Sequence, residues 1–93
     1  MQRAAIHLTV HGRVQGVGYR WWTEQAAARL GLDGWVRNRA DGTVEILAIG
    51  GPAALEQFVQ ACRQGPSAAR VAHIRRDEAA DDGSAGFEMR ATA

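Results

Sequence analysis

Gly12-Arg13-Val14-Gln15-Gly16-Val17-Gly18-Tyr19-Arg20 puts three glycines into nine residues at the point where one hydrophobic period stops and another starts. Before it, Ile6, Leu8 and Val10 alternate with His7, Thr9 and His11, the period of a strand with one buried face. After it, from about Arg20 to Leu30, Trp22, Ala26 and Leu30 recur every fourth position with Thr23 and Ala27 beside them, so one face of a helix can dock on a sheet. The glycines therefore occupy a strand-to-helix junction. Glycine reaches positive φ and lets a ligand approach the main chain, so such a loop can turn several N–H groups toward one point. The helix that follows adds its own unpaired N–H groups and the positive end of its dipole. Arg20, at the helix mouth, adds a planar cationic fork that suits two phosphate oxygens. On the loop alone, Arg20 reads equally as a surface helix residue.

Outward from this junction, Gly31 is a natural stop for the helix. Leu32 to Asn38 and Thr43 to Ile49 read as two short strands, joined by the turn residues Asn38-Arg39-Ala40-Asp41-Gly42. Gly51 and Pro52 suit the cap and first turn of a second helix, whose Leu55, Phe58, Val59 and Cys62 fall at i, i+3, i+4 and i+7. Gly65-Pro66 ends it. Arg70 to Arg76, with Val71 and Ile74, is a strand of imperfect alternation, Asp77 to Gly86 an acidic loop of small residues, and Phe87 with Met89 a final short strand. The order strand, helix, strand, strand, helix, strand predicts an α+β sandwich of the ferredoxin-like kind, βαββαβ, with two helices on one face of an antiparallel sheet. That fold hosts many functions, so the chemistry has to come from the site.

With 93 residues the chain is expected to be one domain spanning 1–93. A formal net charge of +1 argues against a nucleic-acid-coating role. All eleven basic residues are arginine, which excludes lysine Schiff-base chemistry and a Walker-type lysine. The single cysteine, Cys62, cannot form an internal disulfide and fits a reducing compartment. No apolar run approaches membrane-spanning length and the N-terminus lacks a secretory pattern, so the expected location is cytoplasmic, without membrane attachment.

Spacing excludes several chemistries. No Lys-Ser/Thr pair follows the glycines, and the third glycine of a dinucleotide fingerprint would fall on Trp21. Cys62 has Ala68 rather than arginine six residues on and lies on an apolar stripe, which reads as a buried core cysteine rather than a nucleophile. Ser84 is not in a nucleophile elbow. His7, His11 and His73 lack metal-ligand spacing. Asp77, Glu78, Asp81 and Asp82 read as a solvated face, and Trp21, Trp22 and Trp35 as packing residues.

A phosphate-sized anion site remains, with no obvious nucleophile, base or metal. A phosphate monoester is hard to hydrolyse with so little, whereas a mixed anhydride has a good carboxylate leaving group. Charge neutralisation and a positioned water then suffice. The water needs a neutral side chain that both donates and accepts hydrogen bonds. Asn38 meets that need if its strand lies next to the first; its rival reading is a plain strand-end residue tolerant of turns.

The two stretches Gly12 to Arg20 and Gly34-Trp35-Val36-Arg37-Asn38, followed by Gly42, Val44 and Gly50, resemble the acylphosphatase family at the family's spacing, and the resemblance covers essentially the whole chain. It implies metal-independent hydrolysis of the carboxyl-phosphate bond of small acyl phosphates, without cofactor. It places the phosphate-binding arginine on Arg20, the water-orienting asparagine on Asn38 and the cradle loop on Gln15, Gly16, Val17, Gly18 and Tyr19, with Tyr19 packed beneath the loop. Inorganic phosphate or sulfate is then the expected site ligand, no nucleic-acid partner is expected, and nothing in the sequence demands assembly beyond a monomer. The competing class is a binding module of the same fold, either a carbamoyl phosphate handling domain or an RNA-binding sheet; the latter needs exposed aromatic residues on the central strands.

Overall fold

The computed structural model describes residues 3–93. Its elements are β1 (Ala4–Arg13), α1 (Tyr19–Arg29), β2 (Asp33–Asn38), β3 (Val44–Gly50), α2 (Pro52–Gln64), β4 (Arg70–Glu78) and β5 (Phe87–Met89). The sheet runs β4-β1-β3-β2-β5, and both helices cover one face, as in the expected ferredoxin-like sandwich.

The alternation along β1 sends Ile6, Leu8 and Val10 to the helix face, where they join Val36, Val44, Ile46 and Ala48 beneath Ala26, Ala27, Leu55, Phe58, Val59 and Cys62. Burying each large member of that set is worth roughly 1.5–3 kcal/mol. β3 is buried along its whole length, because Trp35 lies over Leu47 and Ile49 on the opposite face as a small second cluster. Arg37 and Arg90 each stand 4.9 Å above the Trp35 ring.

The stripe of α1 differs from the expected one. Its buried residues are Tyr19, Thr23, Ala26 and Ala27, while Trp22 and Leu30 pack only at the margin of the core. The phase is set by Tyr19, whose ring goes inward and whose hydroxyl donates 2.6 Å to the Cys62 carbonyl. That carbonyl needs a partner from outside its helix, because the residue four positions on is Pro66, which has no N–H. One phenol thus anchors the start of α1 to the end of α2. Burial pushes the Cys62 thiol up to about 12 and the Tyr19 phenol above its ordinary range, so both stay protonated.

The sheet is mixed rather than antiparallel. β1–β3, β1–β4 and β2–β3 pair antiparallel, but β5 pairs parallel to β2, with Gly34 opposite Phe87 and Val36 opposite Met89. β4 ends with Glu78 opposite Ile6, at the end of the sheet where β2 begins. The chain then crosses that end of the sheet, so it re-enters running the same way as β2. Ala79 N–H donates to Ala5 O at the start of the crossing and Gly34 N–H to Gly86 O at its finish. The acidic stretch is accordingly not one solvated loop. Asp77 and Glu78 belong to β4, Asp81 pairs with Arg3, and Asp82 accepts from the Trp35 indole at 3.3 Å.

Candidate active site

β1 leaves the sheet after Arg13, and the buried Val14 side chain fixes where the loop begins. Gly16 and Gly18 hold φ of +72° and +78°, a region costly for residues with a Cβ. Gly18 caps α1 in the left-handed conformation, with no side-chain cap and no acidic residue in the first turn. The first helical bond runs from Trp22 N–H to Gly18 O at 3.0 Å. The N–H groups of Tyr19, Arg20 and Trp21 are therefore the orphan donors of the helix start. Among the described residues no protein acceptor meets them or the N–H groups of Gly16, Val17 and Gly18.

These donors border a cavity of about 190 Å³ lined by Gly16, Gly18, Tyr19, Arg20 and Trp21 on one side and by Asn38 and Met89 on the other. A larger cavity, about 390 Å³, lies between the start of α2 and strands β1 and β4. It is walled by Ala4, Ile6, Leu55 and the bidentate Arg76–Glu56 pair, and contains none of the free main-chain donors.

Asn38 reaches the small cavity by a route other than the expected one. β2 is not beside β1; β3 lies between them, which sets β1 and β2 about 10 Å apart. The loop closes the gap above the end of β3, whose first residue Val44 stands opposite both Val10 and Asn38. Gln15 makes the connection: its Nε2 donates 2.8 Å to Arg39 O and 2.9 Å to Thr43 O, both in the β2–β3 hairpin. Its side chain thus serves the hairpin, leaving the main chain as its only contribution toward an anion. The hairpin is itself set by Asp41, whose carboxylate accepts from the Thr43 hydroxyl at 2.6 Å and N–H at 2.9 Å.

Asn38 lines the cavity, and its side-chain oxygen is buried and meets no hydrogen-bond donor among the described residues. A buried acceptor left in that state costs roughly 1–3 kcal/mol, which a water or ligand donor in the cavity relieves. Arg20 is half-buried, its Nη1 donating 3.3 Å to the carbonyl of Arg90 just beyond β5. The Val17 side chain packs against the core and the Tyr19 side chain is 1% exposed, so both offer the cavity only their main chains.

Met89, in the cavity wall, and the Arg90 carbonyl, which anchors Arg20, are groups that sequence periodicity could not place, because they depend on β5 pairing beside β2. Trp21, read as a packing residue, is 61% exposed and lines the mouth. The nearby Arg37 and Arg39 are engaged by Glu45, at 2.6 Å and 3.7 Å, and His7 bonds the same carboxylate at 2.7 Å. Burial opposes the charge on Glu45, but the bonds from His7 and Arg37 outweigh it and hold the carboxyl below its ordinary value. His11 and His73 stack with centroids 4.2 Å apart, and among the described residues no three His, Cys, Asp or Glu side chains are grouped to hold a metal ion.

The acylphosphatase family model matches residues 6–89. An acylphosphatase of Acidiphilium cryptum is 51% identical over 88 residues, covering 95% of this chain and 97% of that protein. The crystal structure of the Bacillus subtilis acylphosphatase superposes with a TM-score of 0.91 at 39% identity, covering 96% of this chain and 99% of that one. Full-length HypF, in a phosphate- and nucleotide-bound form, contains a similar segment, with a TM-score of 0.91 at 25% identity, that amounts to 12% of its chain. Shared fold, shared motifs and similarity along nearly the full length of such relatives place this chain in the acylphosphatase family, the enzymes that hydrolyse acyl phosphates.

Proposed function

We propose that Arg20 and the main-chain N–H groups from Gly16 through Trp21 bind the phosphoryl group, and that Asn38 orients the attacking water. The unpartnered side-chain oxygen of Asn38, a residue that lines one cavity with Arg20, carries this reading. The Asn38 carbonyl accepts one water proton and turns a water lone pair toward phosphorus, while the N–H groups and guanidinium neutralise charge on the phosphoryl oxygens. The P–O bond to the acyl group breaks as the new P–O bond forms, and the carboxylate departs with the electron pair. The water's proton leaves with the phosphate product or to solvent. A carboxylate leaves readily without protonation, which fits a cavity lined by no Asp, Glu or His among the described residues. On this reading hydrolysis needs neither metal nor cofactor, and inorganic phosphate or sulfate occupies the same cradle.

Residues 1–93 act, on this proposal, as one domain, a cytoplasmic monomer that takes a small-molecule substrate and neither nucleic acid nor membrane. Among the described residues no helix is long and apolar enough to cross a membrane. Trp35 is covered by two guanidinium groups, which argues against a base-stacking sheet. Steady-state hydrolysis of acetyl phosphate tests the assignment. Arg20→Ala and Asn38→Ala are each expected to lose about 100-fold or more in kcat/KM while retaining wild-type circular dichroism, and a chelator leaves wild-type turnover unchanged. Near wild-type turnover in either folded variant overturns that residue's role.

A further inference from the structure

Only two large apolar side chains are exposed among the described residues, Trp21 at 61% and Met89 at 44%, and both stand on the rim of the same 190 Å³ cavity. Scattered exposed apolar residues need no explanation, but a pair brought from the first turn of α1 and from β5 to one opening does. The cavity is small beside the roughly 300–1,000 Å³ that encloses a drug-sized ligand. Its polar groups, the free N–H donors, Arg20 and Asn38, are sufficient for a phosphoryl group and a water. An acyl group larger than acetyl must therefore extend over the rim, where its neighbours are an indole and a thioether. Trp21 offers a flat apolar face and Met89 an adaptable, polarisable one.

We propose that Trp21 and Met89 form an apolar clamp on the acyl group, so that the enzyme selects acyl phosphates with aromatic or extended alkyl chains over those with short or charged ones. The clamp rests on the phosphoryl-binding reading of the cavity, since it is the bound phosphoryl group that directs the acyl chain outward. The lining carries no carboxylate, and its one hydroxyl, that of Tyr19, is turned away to the Cys62 carbonyl, so neither group rewards a polar acyl chain. Both side chains act on substrate binding and on the transition state alike, because the acyl chain stays attached until the P–O bond breaks.

The test compares kcat/KM for benzoyl and acetyl phosphate in the wild type, Trp21→Ala, Trp21→Phe and Met89→Ala, with inorganic phosphate as competitive inhibitor and Arg20→Ala as the control for the cradle. The benzoyl-to-acetyl ratio is expected to fall about tenfold in Trp21→Ala, the effect of returning roughly 50–60 Å² of apolar surface to water. It falls by a smaller factor in Met89→Ala and is largely restored in Trp21→Phe. A ratio within twofold of wild type in both alanine variants overturns the clamp. If phosphate then still competes in those variants and ceases to compete in Arg20→Ala, the cradle stands and only the clamp has failed. Full phosphate competition and turnover in Arg20→Ala overturns the cradle, and the clamp with it.

Discussion

Gln15 and Thr43 lie 28 residues apart in the chain and one hydrogen bond of 2.9 Å apart in the fold. With the companion bond to Arg39 O, this amide joins the loop after β1 to the hairpin after β2 across the intervening strand. The spacing between the two halves of the site is therefore held by a side chain that faces neither.

Removing that tether is expected to separate the halves without unfolding the protein. Gln15→Ala should cost about 2 kcal/mol from two lost bonds, because Arg39 O and Thr43 O keep partners in Gly42 N–H and Arg39 N–H. kcat should fall more than the affinity for inorganic phosphate, since the N–H cradle is intact and Asn38 is displaced. Gln15→Glu, which sets a carboxylate against two carbonyls, should be worse in both stability and kcat. Wild-type kcat in both variants would remove Gln15 from a positioning role.

Asn38→Asp separates water orientation from a merely conformational role at the strand end. Aspartate keeps the shape and the tolerance for turns but sets a negative charge beside the phosphoryl site. The denaturant midpoint should change little and kcat/KM should drop about 100-fold. Retained activity at neutral pH identifies Asn38 as a strand-end residue only.

Tyr19→Phe should lower stability by roughly 1–3 kcal/mol, the cost of leaving the Cys62 carbonyl without the donor that Pro66 cannot supply. Urea unfolding followed by far-UV circular dichroism measures it. An unchanged midpoint would mean that water replaces the phenol at the end of α2.

Acid should act through Glu45. Its carboxyl is held below the ordinary value of 4.5, so the ionised form stabilises the fold at pH values above 4.5. That contribution is lost as pH falls through the lower folded value. Glu45→Gln should flatten this part of the acid-unfolding profile and cost about 2 kcal/mol at neutral pH by removing the charge that His7, Arg37 and Arg39 share and turning one of the two accepting oxygens into a donor. An acid profile identical to wild type would assign the titration to other carboxylates.

Much of this was legible in the sequence because period and punctuation agree. The alternation of Ile6, Leu8 and Val10, the i, i+3, i+4, i+7 stripe of α2 and the turn residues around Asp41 each name one structure, and the two glycine-containing stretches name Arg20 and Asn38. The phase of α1 was not legible. Each helical residue turns the chain by about 100°, and with aromatic residues at 19, 21 and 22 the inward one is chosen by the partner that Tyr19 finds on α2. Strand direction was also hidden, since three residues of β5 carry no mark of whether they run with or against β2. Met89, the Arg90 carbonyl and the exposure of Trp21 follow from those two choices, and this is why that wall of the cavity escaped sequence reasoning while the walls made by the loop and Asn38 did not.

On the proposed reading of the cavity, the three-residue edge strand β5 makes catalysis a sensor of local fraying. Short edge elements open at low free energy without global unfolding, and when β5 detaches, Met89 leaves the rim and Arg20 loses its Arg90 anchor. In mild denaturant, activity should disappear before helical ellipticity declines, and a binder that enters the cavity should slow amide exchange at Phe87 to Arg90. On that reading activity ends with the loss of the smallest strand, while the core beneath the helices persists.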